Sequence, residues 1–251
     1  MKTNLDVIGV IPARLASTRL PQKLLRIING KTLLQWTWEN AATCRALDEL
    51  VIASDDQEIE DIAKEFKAKV VSTSIEHQSG TDRIAEAVRD VEAKIVINIQ
   101  ADEPLVHPSI MDRLAQELLD SPEITMATVK RRIEDEKEIN DPNVVKVVTD
   151  KDNYALYFSR YPLPYYRKDG EKQEFYKHLG IYAYTKDFLF TFKNLPKSKL
   201  EEAEKLEQLR VLEAGYKIKV IETKFDSCGV DTEDDLLKVE RILASRRCDE
   251  K

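Results

Sequence analysis

Apolar residues fall along this chain in two rhythms. Short, nearly continuous apolar runs occupy residues 7–11, 50–53, 69–72 and 94–99, and between them apolar positions recur at helical spacing over about 32–47, 57–66 and 81–91. Uninterrupted apolar runs predict strands buried on both faces. Their alternation with amphipathic helices predicts a parallel sheet covered on each side by helices. After about residue 120 the rhythm changes. Strand-like runs at 125–130, 144–149, 154–158 and 179–184 follow one another, which predicts a mixed sheet with a β-rich insertion at about 154–192. Leu200, Ala203, Leu206, Leu209 and Leu212 then recur every three residues and predict one long amphipathic helix over about 200–214. A strand at 217–222 and a helix over about 232–245 close the pattern. No Gly-, Ser- or Pro-rich linker interrupts the 251 residues, so one α/β domain over 1–251 is expected.

Composition narrows the function. The net charge of −7 argues against a general nucleic-acid binder. No apolar stretch approaches the ~18 residues needed to span a bilayer, and the first residues lack the pattern of a signal peptide. Cys44, Cys228 and Cys248 form no CxxC pair and suit a reducing cytoplasm. His77, His107 and His178 lack the spacing of a zinc site. Thirteen of the chain's eighteen Phe, Tyr and Trp residues lie between Tyr154 and Phe192. Such density serves either a second hydrophobic core, or a subunit interface or sugar pocket where flat rings give contact area at low entropic cost.

Within this acidic chain, the stretch from Val7 to Trp38 contains no Asp or Glu but carries Arg14, Arg19, Lys23, Arg26 and Lys31. Arg14 and Arg19 lie in a loop that leaves the first strand at Pro12 and ends at Pro21, and Lys23 follows it at once, a placement suited to an anionic ligand. Gln100, Asp102 and Glu103 follow the strand at 94–99. Ligands of open α/β sheets bind at the carboxyl ends of the strands. Cations on one such loop and a carboxylate on another suit a nucleoside triphosphate with Mg²⁺. Neither GxGxxG nor GxxxxGK[ST] occurs, so a glycine phosphate cradle is not the device used. Asp102 and Asp231 each have two readings, as a metal ligand or as a cap at the start of the helix that follows. Ser79, Gly80 and Arg83 lie where a loop enters a helix, and there too an N-cap and a ligand contact both fit.

Seven ordered segments also carry a resemblance. They are Pro12-Ala13-Arg14 with Ser17-Thr18-Arg19 and Lys23; Gln78-Ser79-Gly80-Thr81-Asp82-Arg83; Asn98-Ile99-Gln100-Ala101-Asp102-Glu103-Pro104; Tyr154-Ala155-Leu156-Tyr157-Phe158-Ser159-Arg160; His178-Leu179-Gly180-Ile181-Tyr182; Leu206-Glu207-Gln208-Leu209-Arg210; and Gly229-Val230-Asp231-Thr232. Together they resemble the nucleotide-sugar cytidylyltransferases, and among these the CMP-KDO synthetase (3-deoxy-manno-octulosonate cytidylyltransferase) family. The resemblance implies a nucleotide-diphospho-sugar transferase-like (Rossmann-like) fold whose β-rich insertion contributes to a homodimer. It implies transfer of CMP from CTP to the anomeric hydroxyl of KDO for lipopolysaccharide biosynthesis, in the cytoplasm and without a membrane or nucleic-acid partner. A related sugar acid (amino-KDO or sialic acid), or a non-catalytic nucleotide-binding relative, are the alternatives.

By the same resemblance Arg14, Arg19 and Lys23 hold the triphosphate and Asp102 and Asp231 hold Mg²⁺. Ser79, Gly80, Arg83 and Gln100 line the nucleotide site, and Arg160, Arg167, His178, Tyr182, Glu207 and Gln208 surround the sugar. Three positions depart from the family pattern: Gln22 and Ala101 stand where glycine is common, and Asp82 where glutamate is frequent.

Overall fold

The computed structural model describes residues 5–15, 20–167 and 173–249, with side chains to Ser245. Internal contacts divide the chain into two compact units, Met1–Arg113 with Asp226–Lys251, and Leu114–Phe225. The stretch 154–192 lies inside the second.

In the first unit, β1 (Leu5–Ala13), β4 (Glu49–Ser54), β5 (Val70–Ser72) and β6 (Ala93–Asn98) form a parallel array in the order β6-β1-β4-β5. A short antiparallel ribbon, β2 (Ile27–Ile28) with β3 (Lys31–Thr32), leads into α1 (Leu33–Ala41). Helices α2 (Gln57–Glu65) and α3 (Gly80–Ala87) connect the strands. The helix α4 (Pro108–Asp120) contains the division between the units, and α9 (Glu233–Asp249) ends the chain. Val7, Val10, Ile11, Val51, Ile52, Val96 and Ile97 are fully or almost fully buried, as continuous apolar strands require. The chain leaves β1 toward β4 on one side and returns with β6 on the other. The crevice between the carboxyl ends of β1 and β6 is therefore a topological switch point, the usual ligand site of such sheets.

Helix α1 stops at Ala41, short of the expected 47. The Asp112 carboxylate takes the backbone N–H of Arg45 (2.9 Å) and Ala46 (2.9 Å) and the Cys44 thiol (3.1 Å), which draws this segment out of helical geometry.

In the second unit β7 (Met126–Arg132) lies between β10 (Tyr176–Thr185), antiparallel, and β11 (Lys219–Thr223), parallel. Strand β8 (Lys146–Thr149) pairs antiparallel with β10 and with β9 (Ala155–Ser159), which gives the mixed pairing expected of this region. Helices α5 (Glu136–Asn140), α6 (Lys186–Asn194), α7 (Lys199–Glu204) and α8 (Leu209–Glu213) complete it.

Two features correct the sequence reading. The single helix expected over 200–214 is two helices, because Lys205 adopts a left-handed conformation (φ 55°, ψ 45°) and ends α7. The buried Arg210 guanidinium on α8 pairs with Glu201 on α7 (Nε to Oε2, 2.7 Å), which holds the two pieces against each other. Helix α6 was hidden by its aromatic, strand-like composition. Thr185 caps it by accepting the Phe188 N–H, and Phe188, Leu189 and Phe192 are its buried side. The aromatic-rich stretch serves more than one purpose. Phe158, Tyr184 and Phe192 are core residues, whereas Tyr161 and Tyr165 are 80% and 89% exposed.

A left-handed conformation costs a residue with a Cβ what glycine is spared. Lys205→Gly is expected to raise unfolding stability by about 0.5–1 kcal/mol, measured by urea denaturation. A loss of stability would show that the left-handed geometry does not limit the α7–α8 junction.

Candidate active site

At the carboxyl edge of the parallel array lies a pocket of about 470 Å³. The segment after β1 gives it Arg14 and Lys23, and the entry to α3 gives Ser79, Gly80 and Arg83. Gln100 and Asp102 come from the loop after β6, and Asp231 from just before α9. Arg19, also selected from sequence, lies outside the described residues.

The centre of the pocket is an ion triad. Lys23 Nζ donates to Asp102 Oδ2 at 2.5 Å and to Asp231 Oδ1 at 2.9 Å. Its side chain is 12% exposed. Burial disfavours the charged ammonium, but attraction to Asp102 and Asp231 outweighs it and raises the Lys23 pKa above the ordinary value. Local geometry explains why residues so distant in sequence meet. Gln22 has φ 51° and ψ 35°, and its carbonyl accepts the Leu25 N–H at 2.9 Å, so a tight turn aims Lys23 inward. On the opposite side the Val230 N–H donates to the Asp102 carbonyl (2.9 Å) and the Ser227 hydroxyl to Glu103 Oε2 (2.7 Å). These bonds pin the segment that carries Asp231 beside the loop that carries Asp102. Desolvation pushes the Glu103 carboxyl up to about 7, and the charge of Asp102 adds to the effect. Glu103 bears on the triad through its bond with Ser227, which holds the segment that carries Asp231.

The capping alternatives are now decided by position. Helix α4 begins at Pro108, too far along the chain for Asp102 to cap it. At α9 the cap is Thr232, whose Oγ1 accepts the Asp235 N–H (3.2 Å) while Asp235 Oδ2 accepts the Thr232 N–H (2.9 Å). Neither Asp102 nor Asp231 is spent on a helix end. Ser79, by contrast, is the N-cap of α3, with Oγ accepting the Asp82 N–H at 3.1 Å and donating to Asp82 Oδ2 at 3.0 Å. Asp82 thus completes a capping pair despite being shorter than glutamate. A Cβ at Gly80 would make only ordinary contact with Pro12, at 3.5 Å, so the surrounding protein does not itself demand glycine there. Among the other departures, Gln22 occupies a left-handed position where glycine would be unstrained, whereas Ala101 has no positive φ and buries its methyl group.

The buried Arg83 is held from behind. Its guanidinium donates to Asp55 Oδ2 (2.7 Å) and Thr73 Oγ1 (2.5 Å). His77, also at the pocket wall, pairs with Glu86, which accepts the Ser74 N–H at 2.9 Å. Two α3 side chains therefore fix the loop that precedes their own helix. Sequence reasoning missed Asp55, Thr73 and His77. The available signal was the doubled acid Asp55-Asp56 at a strand's end, of which only Asp56 is needed to cap α2.

The remaining candidates belong to the second unit. Arg160 is tied by Nε to the Glu204 carbonyl (2.7 Å) and by a terminal nitrogen to the Pro142 carbonyl (2.8 Å), and its N–H donates to the Glu204 carboxylate. Glu204 also accepts the Ser159 hydroxyl at 2.8 Å, a hub that sequence did not single out. Gln208 is buried, Glu207 is partly buried near Arg210, and Arg167 is exposed. His178 and Tyr182 lie with ring centroids 5.3 Å apart. The surrounding protein desolvates the His178 imidazole and lowers its pKa to about 3, so it is neutral.

A family model described as cytidylyltransferase matches residues 8–218. The chain is 48% identical over 237 residues to the 3-deoxy-manno-octulosonate cytidylyltransferase of Solibacter usitatus, covering 94% of each chain. It is 45% identical to the protein of that name from Geobacter sulfurreducens, covering 94% of this chain and 98% of the relative. A solved structure of CMP:2-keto-3-deoxy-manno-octonic acid synthetase complexed with CTP superposes with TM-score 0.91 at 41% identity, over 96% of this chain and 99% of that one. A cytidylyltransferase from Leptospira borgpetersenii, 16% identical with TM-score 0.64, shares the fold. Similarity of this extent leaves one conclusion: the chain belongs to the cytidylyltransferases, and among them to the 3-deoxy-manno-octulosonate cytidylyltransferase family.

Proposed function

We propose that this chain transfers CMP from CTP to the anomeric hydroxyl of KDO and releases pyrophosphate. The observation that carries the reading is the meeting of Lys23, Asp102 and Asp231 at the switch-point pocket, in a chain similar from end to end to a synthetase solved with CTP. In the reaction the anomeric oxygen attacks the α-phosphorus, the bond from that phosphorus to the oxygen bridging to the β-phosphate breaks, and pyrophosphate leaves. Arg14, Arg19 and Lys23 stabilise negative charge on the triphosphate. Ser79, Gly80, Arg83 and Gln100 bound the nucleotide site. In the second unit Arg160 and Arg167 suit the sugar carboxylate, and His178, Tyr182, Glu207 and Gln208 suit its hydroxyls.

The donor set fits Mg²⁺. Among the described residues no group of three or more His, Cys, Asp or Glu side chains is placed to hold a metal. Two carboxylates that share their cation with substrate phosphates are the ordinary Mg²⁺ arrangement. Asp102 and Asp231 already gather positive charge in the form of the Lys23 ammonium. When bound, Mg²⁺ supplies Lewis acidity and screens phosphate charge.

The reading extends to a cytoplasmic homodimer. Among the described residues no helix is long and apolar enough to cross a membrane. Leu156, Tyr161 and Tyr165, at 61%, 80% and 89% exposure, supply apolar surface suited to a subunit contact.

Three outcomes are expected. Pyrophosphate release should require CTP, a divalent metal and KDO together, and turnover with a different sugar acid but not KDO would overturn the substrate while leaving the reaction. Asp102→Asn and Asp231→Asn should keep the wild-type circular dichroism and melting temperature but lose at least about a hundredfold in turnover. Full activity in either variant would remove that residue from the metal site. Light scattering should give twice the 28.9 kDa chain mass, and a monomer at micromolar concentration would end the dimer proposal.

A further inference from the structure

We propose that Thr128, a residue outside the sugar-binding set, is a positioning residue that fixes His178 in the tautomer with hydrogen on Nε2, so that Nδ1 faces the sugar as a hydrogen-bond acceptor for a hydroxyl. This rests on the reading of His178 as part of the sugar site.

The argument is a count of hydrogens. Thr128 Oγ1 lies 2.9 Å from His178 Nε2, 2.8 Å from the Ile181 carbonyl oxygen and 3.3 Å from the Leu179 carbonyl oxygen. Carbonyl oxygens only accept, and the hydroxyl has a single hydrogen. That hydrogen goes to the carbonyls, the nearer being Ile181. A contact between Oγ1 and Nε2 is then a hydrogen bond only if Nε2 donates. The reverse arrangement, with the hydroxyl donating to Nε2, would withdraw the threonine's donor from both carbonyls at a fully buried position.

Strand geometry sets up this meeting. The β10–β7 register shifts between Leu179 and Tyr182, so Leu179 pairs with Val129 while Tyr182 pairs with Thr128, and Gly180 and Ile181 form a bulge. A bulge takes carbonyls off the regular ladder. The Thr128 hydroxyl, at 0% exposure for the residue, reaches across to them. The ring is held on other sides as well. The Phe158 ring meets it edge-on at 5.0 Å and 79°, and the backbone N–H of His178 donates to the Val145 carbonyl at 2.8 Å, which fixes the main chain that carries the ring. Among the described residues nothing donates to Nδ1. The desolvation that keeps the imidazole neutral removes the imidazolium as a partner for the sugar carboxylate, and an acceptor nitrogen is what remains. The carboxylate is then left to arginine.

The test combines a spectrum with kinetics. The chain has three histidines, so ¹⁵N-histidine labelling gives a small spectrum, and the His178→Asn variant assigns the His178 signals by their absence. At neutral pH the unsubstituted protein is expected to show Nε2 protonated and Nδ1 bare. Thr128→Ser, which keeps the hydroxyl, should preserve both this pattern and the kinetics. Thr128→Val should lose the single tautomer and raise KM for KDO by about tenfold, while KM for CTP and kcat change by less than about threefold.

A bare Nε2 or an imidazolium in the unsubstituted protein overturns the proposal, as does a folded Thr128→Val with unchanged KM for KDO. If Thr128→Val does not fold, the tautomer of the unsubstituted and Thr128→Ser proteins decides. Failure of the unsubstituted chain to release pyrophosphate with KDO would overturn the substrate reading instead, and the spectrum would still decide the tautomer.

Discussion

Two carboxylates 129 positions apart in the chain share one ammonium, and the switch-point pocket depends on that constraint. Asp102 and Asp231 side by side would repel each other, and their charge adds to the burial that already raises the Glu103 carboxyl behind them. Lys23 resolves the repulsion, with its own pKa raised in return. The arrangement requires a left-handed turn at Gln22 on one side and the bonds from Ser227 and Val230 on the other. A site that concentrates cation-seeking oxygens beside phosphate-seeking cations is suited to bind a metal and a triphosphate as a unit. Neither partner alone balances its charges.

The first hundred residues were legible because each rule acts locally. Buried parallel strands must be apolar on both faces, as in β1 and β6, and the helices between them must be amphipathic, so pattern alone gives the order. The candidate site was legible as composition, through the acid-free stretch and the carboxylates after β6. Which acids were available for chemistry was not. Asp231, Asp234 and Asp235 look alike in sequence. Only the bond from Asp235 back to the Thr232 N–H shows that the cap is filled by its neighbours and leaves Asp231 to Lys23.

The misread elements share a cause. A period of three along residues 200–212 predicts one helix, yet Leu200 is 37% exposed, and the backbone turns left-handed at Lys205, with Arg210 reaching Glu201. That ion pair is a tertiary demand with no local signature. The same holds for α1, shortened by Asp112 from a distant helix, and for Arg83, whose guanidinium is aimed by Asp55 and Thr73. Residues that orient other residues carry no motif of their own, because what they supply is one oxygen at one place.

Under the proposed function, this asymmetry bears on how specificity would be built in the second unit. A sugar acid offers one carboxylate and many hydroxyls, and the hydroxyls distinguish it from other acids. Recognising a hydroxyl as a donor needs an acceptor that is neither solvated nor charged, since a protonated imidazole would seek the carboxylate instead. A neutral histidine meets that need only if its hydrogen is committed elsewhere. Thr128 and the carbonyls of the Leu179–Tyr182 bulge provide the commitment, because the threonine's own hydrogen has two acceptors close by. If His178 lines the sugar site as proposed, selectivity is set partly by a threonine that need not touch the sugar, and a hydroxyl lost there would relax discrimination among sugar acids before it altered the transfer of CMP.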